Sequence, residues 1–425
     1  AYLLFDRFLA LTLEGSDFTY YTDPLSPSSG MVSGLPVLLA DYTFRTKKDV
    51  EDYLGILEQT GAYFDALIRY EQEKSSAGLF MSDTSADNVI EQCDSIMDPV
   101  LLKDGSHFLQ QTFTERLDGL ASDEIITGEE KQQYIDKNNL LLTTVMAPAY
   151  ERVGDAFLVL KGTGTNPYGL CYYPEGKEYY TYLLAQTTGS SRSIPEIRRL
   201  LEKDYQKNFH ALRDLIKNHP GLLKLSPEDF SLSLNMQNSY SDHPEEPGDT
   251  DLPTKPAATS DILCRLSEAI LDDLQKQMKP DFPKLTCIPE AKAGQEHDGE
   301  SNSVSCQIKK VSSSMEAYSS PAYYLTPPID DLWRNTIYLN EPNITDDLTL
   351  YTTLAHEGYP GHLYQTVYSQ SFLNQQNASC IRSMLHYGGF VEGWAVYVEN
   401  LSYGYAAQLT KNEEAAAYIE ACRLN

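Results

Sequence analysis

Apolar residues recur at three- and four-residue steps through much of this chain, the spacing that gathers side chains on one face of an α-helix. Between Lys47 and Glu73 the series Val50, Leu54, Leu57, Gly61, Phe64 and Ile68 makes one such face. Tyr2, Phe5, Leu9 and Leu13 make another near the start, and the same period runs through Ile194–Ile216 and Ser260–Gln277. Two short stretches depart from it. Cys306–Val311 alternates polar and apolar residues, and Thr336-Ile337-Tyr338-Leu339-Asn340 is rich in β-formers. Both read as strands. The second reads either as an ordinary structural strand or as an edge that an extended peptide could join. Two further stretches carry no apolar period and read as surface loops: the acidic, Pro-rich 239–260 and the polar 290–303. The pattern predicts a mainly α fold, one mostly helical domain over 1–425 with a small β element.

Composition narrows the function classes. The chain has 425 residues, 41% of them hydrophobic, which is ample for a large core. Its net charge of −28 disfavours nucleic acid and anionic lipid headgroups as partners. No apolar run is long enough to span a membrane. The seven cysteines form no CxxC pair, so a thiolate zinc site has no support. The chain opens at Ala1 rather than Met, and removal of an upstream segment is expected.

The candidate chemistry sits in His356-Glu357-Gly358-Tyr359-Pro360-Gly361-His362. Thr345 or Asp346 can cap a helix running into it. In the common zinc-peptidase pattern a second His lies four residues after the first, on the same helical face, with a Glu between them as base. Here that position holds Pro360, and His362 lies two residues further on. Six helical steps leave the two imidazoles roughly 120° apart, so a regular helix cannot bring them together. Pro360 cannot donate to the preceding turn, and Gly358 and Gly361 permit a break. The geometric expectation is an irregular helix at Tyr359–Gly361.

A third ligand is expected from a helix over roughly Gly389–Tyr403. On it Glu392, Ala395, Val396 and Glu399 share a face, while Phe390, Trp394, Tyr397 and Leu401 form an apolar stripe. Glu392 suits a metal ligand, and Glu399 suits a carboxylate behind a ligating imidazole. Gly393 would allow close approach of another helix. Two His and one Glu leave a coordination position for water and favour Zn2+. Glu357 would act as the catalytic base. An oxyanion partner is sought among His386, Tyr387, Tyr323 and Tyr324. The Tyr-rich segment Gly169–Tyr180 reads as an aromatic loop near a site or as simple packing.

At these residues the chain resembles the bacterial domain of unknown function eight-eight-five, a group regarded as zinc peptidases. The resemblance rests on His356-Glu357-Gly358-Tyr359-Pro360-Gly361-His362 and on Glu392-Gly393-Trp394-Ala395 with Tyr397 and Glu399. Further likeness lies at Gly176-Lys177-Glu178-Tyr179-Tyr180 and Thr326-Pro327-Pro328-Ile329-Asp330-Asp331. It implies a large helical metallopeptidase-like domain with a deep cleft, with His356, His362 and Glu392 as ligands and Glu357 as base. It also implies an extracellular or lipid-anchored cell-surface bacterial protein. Where the family has a second consecutive His, this chain has Leu363. Family members continue beyond Glu420-Ala421-Cys422-Arg423-Leu424-Asn425, so a missing C-terminal remainder is expected to complete the cleft.

The leading expectation is a zinc-dependent hydrolase of peptides. Two others compete with it: an amidohydrolase acting on a non-peptide amide, and a surface binding protein with a structural or vestigial metal site.

Overall fold

In the computed structural model of the chain, the described residues are 2–27, 29–164, 169–224, 259–285, 304–313, 315–328, 331–376, 378–379, 382, 385, 387–410 and 412–425. Loop 290–303 lies outside them, as does 239–260 except for its last two positions. The fold is mainly helical with one three-stranded sheet, as the periodicity predicts. The described chain gathers into two compact units, a finer division than the sequence suggests: Thr12–Tyr182 with Ser312–Ser319, and Ala1–Leu11 with Leu183–Val311 and Ser320–Asn425.

After α1 (Tyr2–Gly15), the Thr12–Tyr182 unit holds α2 (Met31–Ala40), α3 (Lys47–Ser76), α4 (Asp83–Ile96), α5 (Pro99–Asp104), α6 (Phe108–Ser122), α7 (Gly128–Leu141) and α8 (Ala147–Leu160). The start of α3 is fixed by a reciprocal cap: the Thr46 hydroxyl accepts from the Asp49 N–H, and Asp49 Oδ2 accepts from the Thr46 N–H at 2.8 Å. Val50, Leu54, Leu57 and Phe64 on α3 are buried, which is the face the sequence predicts, and α3 packs on α8. A π-helical segment, Leu142–Met146, joins α7 to α8. Tyr179 and Tyr182 pack against Phe18, with ring centroids 5.3 and 5.5 Å away. The Tyr-rich segment therefore contributes packing within its own unit.

This unit also buries a carboxyl group. Glu71 is fully buried, and neither of its oxygens accepts a hydrogen bond among the described residues. Lys74 Nζ is 4.0 Å away but donates to Asp23 and, at 2.9 Å, to the Thr22 carbonyl. Burial pushes the Glu71 carboxyl up to about 8 and pulls Lys74 down to about 8.

α9 (Gly176–Thr188) leads into the second unit, whose further helices are α10 (Ile194–Asn218), α11 (Thr259–Gln277), α12 (Asp347–Glu357), α13 (His362–Gln375), α14 (Gly388–Gln408) and α15 (Glu413–Leu424). The apolar period did produce helices at α1 and α10, but α1 buries only Leu11 and α10 buries no residue. Period fixes which side is apolar, not whether anything covers it.

The sheet has the order β1-β3-β2, with β1 (Ser305–Lys310) parallel and β2 (Ala322–Leu325) antiparallel to β3 (Arg334–Leu339). The expected strands are present, but β3 is central. It offers no edge to a peptide, which removes that option for Thr336–Asn340; among the described residues the outer edges of the sheet belong to β1 and β2. Ile337 and Leu339 of β3, Ile270, Leu271 and Leu274 of α11, and Leu350, Tyr351 and Leu354 of α12 share one buried core. Ala406 of α14 and Ile419 of α15 close it.

Candidate metal centre

The helix bearing the first His starts at an Asp cap: Asp346 Oδ1 accepts from the Thr349 N–H at 2.9 Å. Leu350, Tyr351, Leu354 and Ala355 bury its inner face. The helix ends at Glu357, and a new one begins at His362. The break between them contains a cis Tyr359–Pro360 peptide. The helix is thus irregular where the His–His spacing required it.

Both glycines of the break are needed for space. A Cβ on Gly361 would lie 1.8 Å from the His356 carbonyl oxygen and 2.4 Å from that of Ala355. A Cβ on Gly358 would lie 2.6 Å from Leu271 Cδ2 and 3.2 Å from Ile337 Cδ1. The chain turns back so tightly that no side chain fits. One amide bonds out of register, the Tyr364 N–H reaching back six residues to the Gly358 carbonyl at 3.2 Å, and the regular helical pattern resumes with the Gln365 N–H donating to Gly361 at 2.9 Å.

The result is convergence. His356, His362 and Glu392 each offer one ligand atom within 4.8 Å of the others. Glu392 Oε2 lies 3.5 Å from Nε2 of each histidine. The edge of a tetrahedral sphere with zinc-ligand bonds is roughly 3.3 Å, so these separations suit a shared ion. The imidazole rings stand 81° apart with centroids at 4.8 Å. Behind them Glu399 Oε2 takes His356 Nδ1 at 2.9 Å, which leaves Nε2 as the nitrogen facing Glu392.

Charge supports the same reading. Burial lowers His356, but the hydrogen bond to Glu399 and the charges of Glu357, Glu399 and Glu392 outweigh it and leave it raised. His362 is lowered by burial, against the pull of Glu392. Three carboxyl groups thus surround two imidazoles, and a divalent cation would balance them. The two imidazole nitrogens and one carboxylate are the donor set of a zinc site with an open position.

Glu357 stands apart from that set. Its Oε2 accepts the Tyr324 N–H of β2 at 2.8 Å. Burial pushes its carboxyl up to about 7, opposed by the His356 charge and by that N–H. The Tyr324 amide therefore points outward from the sheet, and the free edge of β2 runs past Glu357.

The Tyr324 hydroxyl donates to Asn335 Oδ1 at 2.7 Å, and Tyr323 stacks on Tyr338 at 5.1 Å. Tyr387 packs its ring against Gly189, and its buried hydroxyl has no hydrogen-bond partner among the described residues. His386 lies outside the described residues. A Cβ on Gly393 would meet nothing within 4 Å, so that glycine admits no neighbouring helix. On α14 the buried face is Ala395, Val398, Ser402, Tyr405 and Ala406, while Phe390 and Tyr397 of the expected apolar stripe are exposed. Leu363 is fully buried in the core, so the position after His362 serves packing. Nothing in the sequence points to the Tyr324 amide, a backbone group on a strand of four residues.

A helical chain that breaks one helix to gather two histidines against a glutamate matches a known family over nearly its whole length. The chain belongs to the family of bacterial proteins of unknown function termed DUF885, matched over residues 1–418. A crystal structure of a "putative lipoprotein" from Colwellia psychrerythraea has the same fold, with a TM-score of 0.69 at 19% identity over 94% of this chain. The chain spans 62% of that protein's length. No curated protein matches it. No described helix is long and apolar enough to cross a membrane.

Proposed function

We propose that the chain is a zinc-dependent hydrolase of peptide bonds. The observation that carries this reading is the meeting of His356, His362 and Glu392 from three helices, with the half-buried Glu357 beside them. Zinc bound there would lower the pKa of a water and polarise a carbonyl. Glu357 is held at one oxygen by the Tyr324 N–H, which leaves the other to take a proton from the attacking water and deliver it to the departing amine. Glu399 keeps the His356 tautomer and ring plane fixed. Beyond the Tyr324 N–H, which Glu357 takes, the outer edge of β2 favours a peptide over other amides, because an extended backbone can pair alongside it. The lipoprotein description of the Colwellia relative supports an exported, surface-anchored place of action.

Metal analysis together with two variants tests this. About one zinc per chain is expected, as for a single site. Glu357→Gln is expected to keep the metal and lose hydrolysis of a mixed peptide library, and His362→Ala to lose the metal. Full metal retention by His362→Ala would remove the ligand assignment, and activity surviving in Glu357→Gln would remove the base. Cleavage of simple amides but of no peptide would move the substrate class.

A further inference from the structure

The carbonyl of Pro360 sits midway along the break, between the two histidines. In an unbroken helix it would accept from the amide of Tyr364. That amide donates instead to Gly358, at 3.2 Å. The donor that Pro360 receives comes from another element: Trp394 Nε1–H, at 2.8 Å. Trp394 lies on α14, two residues after Glu392 and five before Glu399. Its ring is half-buried and meets Phe282 edge-on, with centroids 5.9 Å apart.

We propose that Trp394 is a positioning residue for the metal centre. Its indole N–H ties the helix that carries Glu392 to the loop that sets the spacing of His356 and His362. The inference rests on the metal reading above. Two cross-links then join α14 to the break, Glu399 to His356 Nδ1 and Trp394 to Pro360. The first fixes one imidazole. The second fixes the backbone between both. Packing alone would need only an aromatic ring at 394. The geometry uses the N–H, because a buried carbonyl that has lost its helical partner must find another donor.

The test separates ring from donor. Trp394→Phe keeps an aromatic ring against Phe282 and removes the N–H. Zinc affinity is read by chelator competition, and the coordination sphere by the visible absorption of the Co(II)-loaded chain. Wild type is expected to bind one ion. Trp394→Phe is expected to bind zinc roughly 10–100-fold more weakly, the range for partners behind metal ligands, and to give an altered Co(II) spectrum. If Trp394→Phe fails to fold, 3-benzothienylalanine at position 394 replaces only the N–H by sulfur and is expected to show the same losses. An affinity and Co(II) spectrum identical to wild type in the folded variant would overturn the positioning role and leave the metal site standing. A wild-type chain that takes up neither zinc nor cobalt would overturn both.

Discussion

Replacing Glu71 by Gln should stabilise the protein, and should do so in proportion to pH. The Glu71 side chain is fully buried, and its oxygens accept no hydrogen bond among the described residues. Its carboxyl titrates at about 8 in the fold against 4.5 in an unfolded chain. The folded state therefore holds a proton that the unfolded state has released, and unfolding is favoured by the difference. Stability from this group is whole below pH 4.5 and is lost as pH rises toward 8. At pH 7 the loss is about 3 kcal/mol, at 1.36 kcal/mol per pH unit. Lys74, 4.0 Å away, returns little of it because its hydrogen bonds go to Asp23 and Thr22. Gln matches the neutral acid in shape and has no proton to lose. Thermal melts of wild type and Glu71→Gln from pH 5 to pH 8 should show a gap of roughly 3–4 °C near pH 7 for a chain of this length, closing toward pH 5. A gap of equal size at both ends of that range, or a variant less stable than wild type at pH 8, would refute the reasoning.

Two further predictions concern the metal centre. Glu399→Ala frees His356 Nδ1 from its 2.9 Å partner and should weaken zinc uptake roughly 10–100-fold in chelator competition; unchanged affinity would show that the contact holds nothing. Gly361→Ala drives a Cβ into two backbone carbonyls, whereas a Cβ on Gly393 meets nothing. In urea unfolding with metal titration, Gly361→Ala should lose at least about 2 kcal/mol along with metal uptake. Gly393→Ala, inside a helix, should gain about 0.5–1 kcal/mol and bind metal as before.

The parts that were legible in the sequence are those written in local chemistry. Val50, Leu54, Leu57 and Phe64 predicted the buried face of α3 because period and burial coincide there. Pro360 between two glycines predicted the break, since a ring that cannot donate leaves a helix few alternatives. Glu399 was found because seven residues return nearly to the same helical face as Glu392. What escaped depends on contacts distant in sequence. β2 is four residues long and takes its identity from pairing with β3. The centrality of β3 depends on which strands flank it. The exposure of Phe390 and Tyr397 could not be foreseen because one helix carries two apolar sides, and only packing chooses between them. The hydroxyls of Tyr323, Tyr324 and Tyr387 could be weighed for catalysis only when their neighbours were visible.

The tightness of the break has a bearing on how this protein can evolve. Gly358 is hemmed in by the Leu354 carbonyl and by the tips of Leu271 and Ile337, which belong to the core on α11 and β3. Those two side chains never face solvent, yet their shape decides where the segment between the histidines can run. Drift in the interior is thus not silent at the candidate ligands: a larger residue at position 271 or 337 would press on the break. Selection on the proposed metal centre should therefore reach these two core positions as well as the histidines.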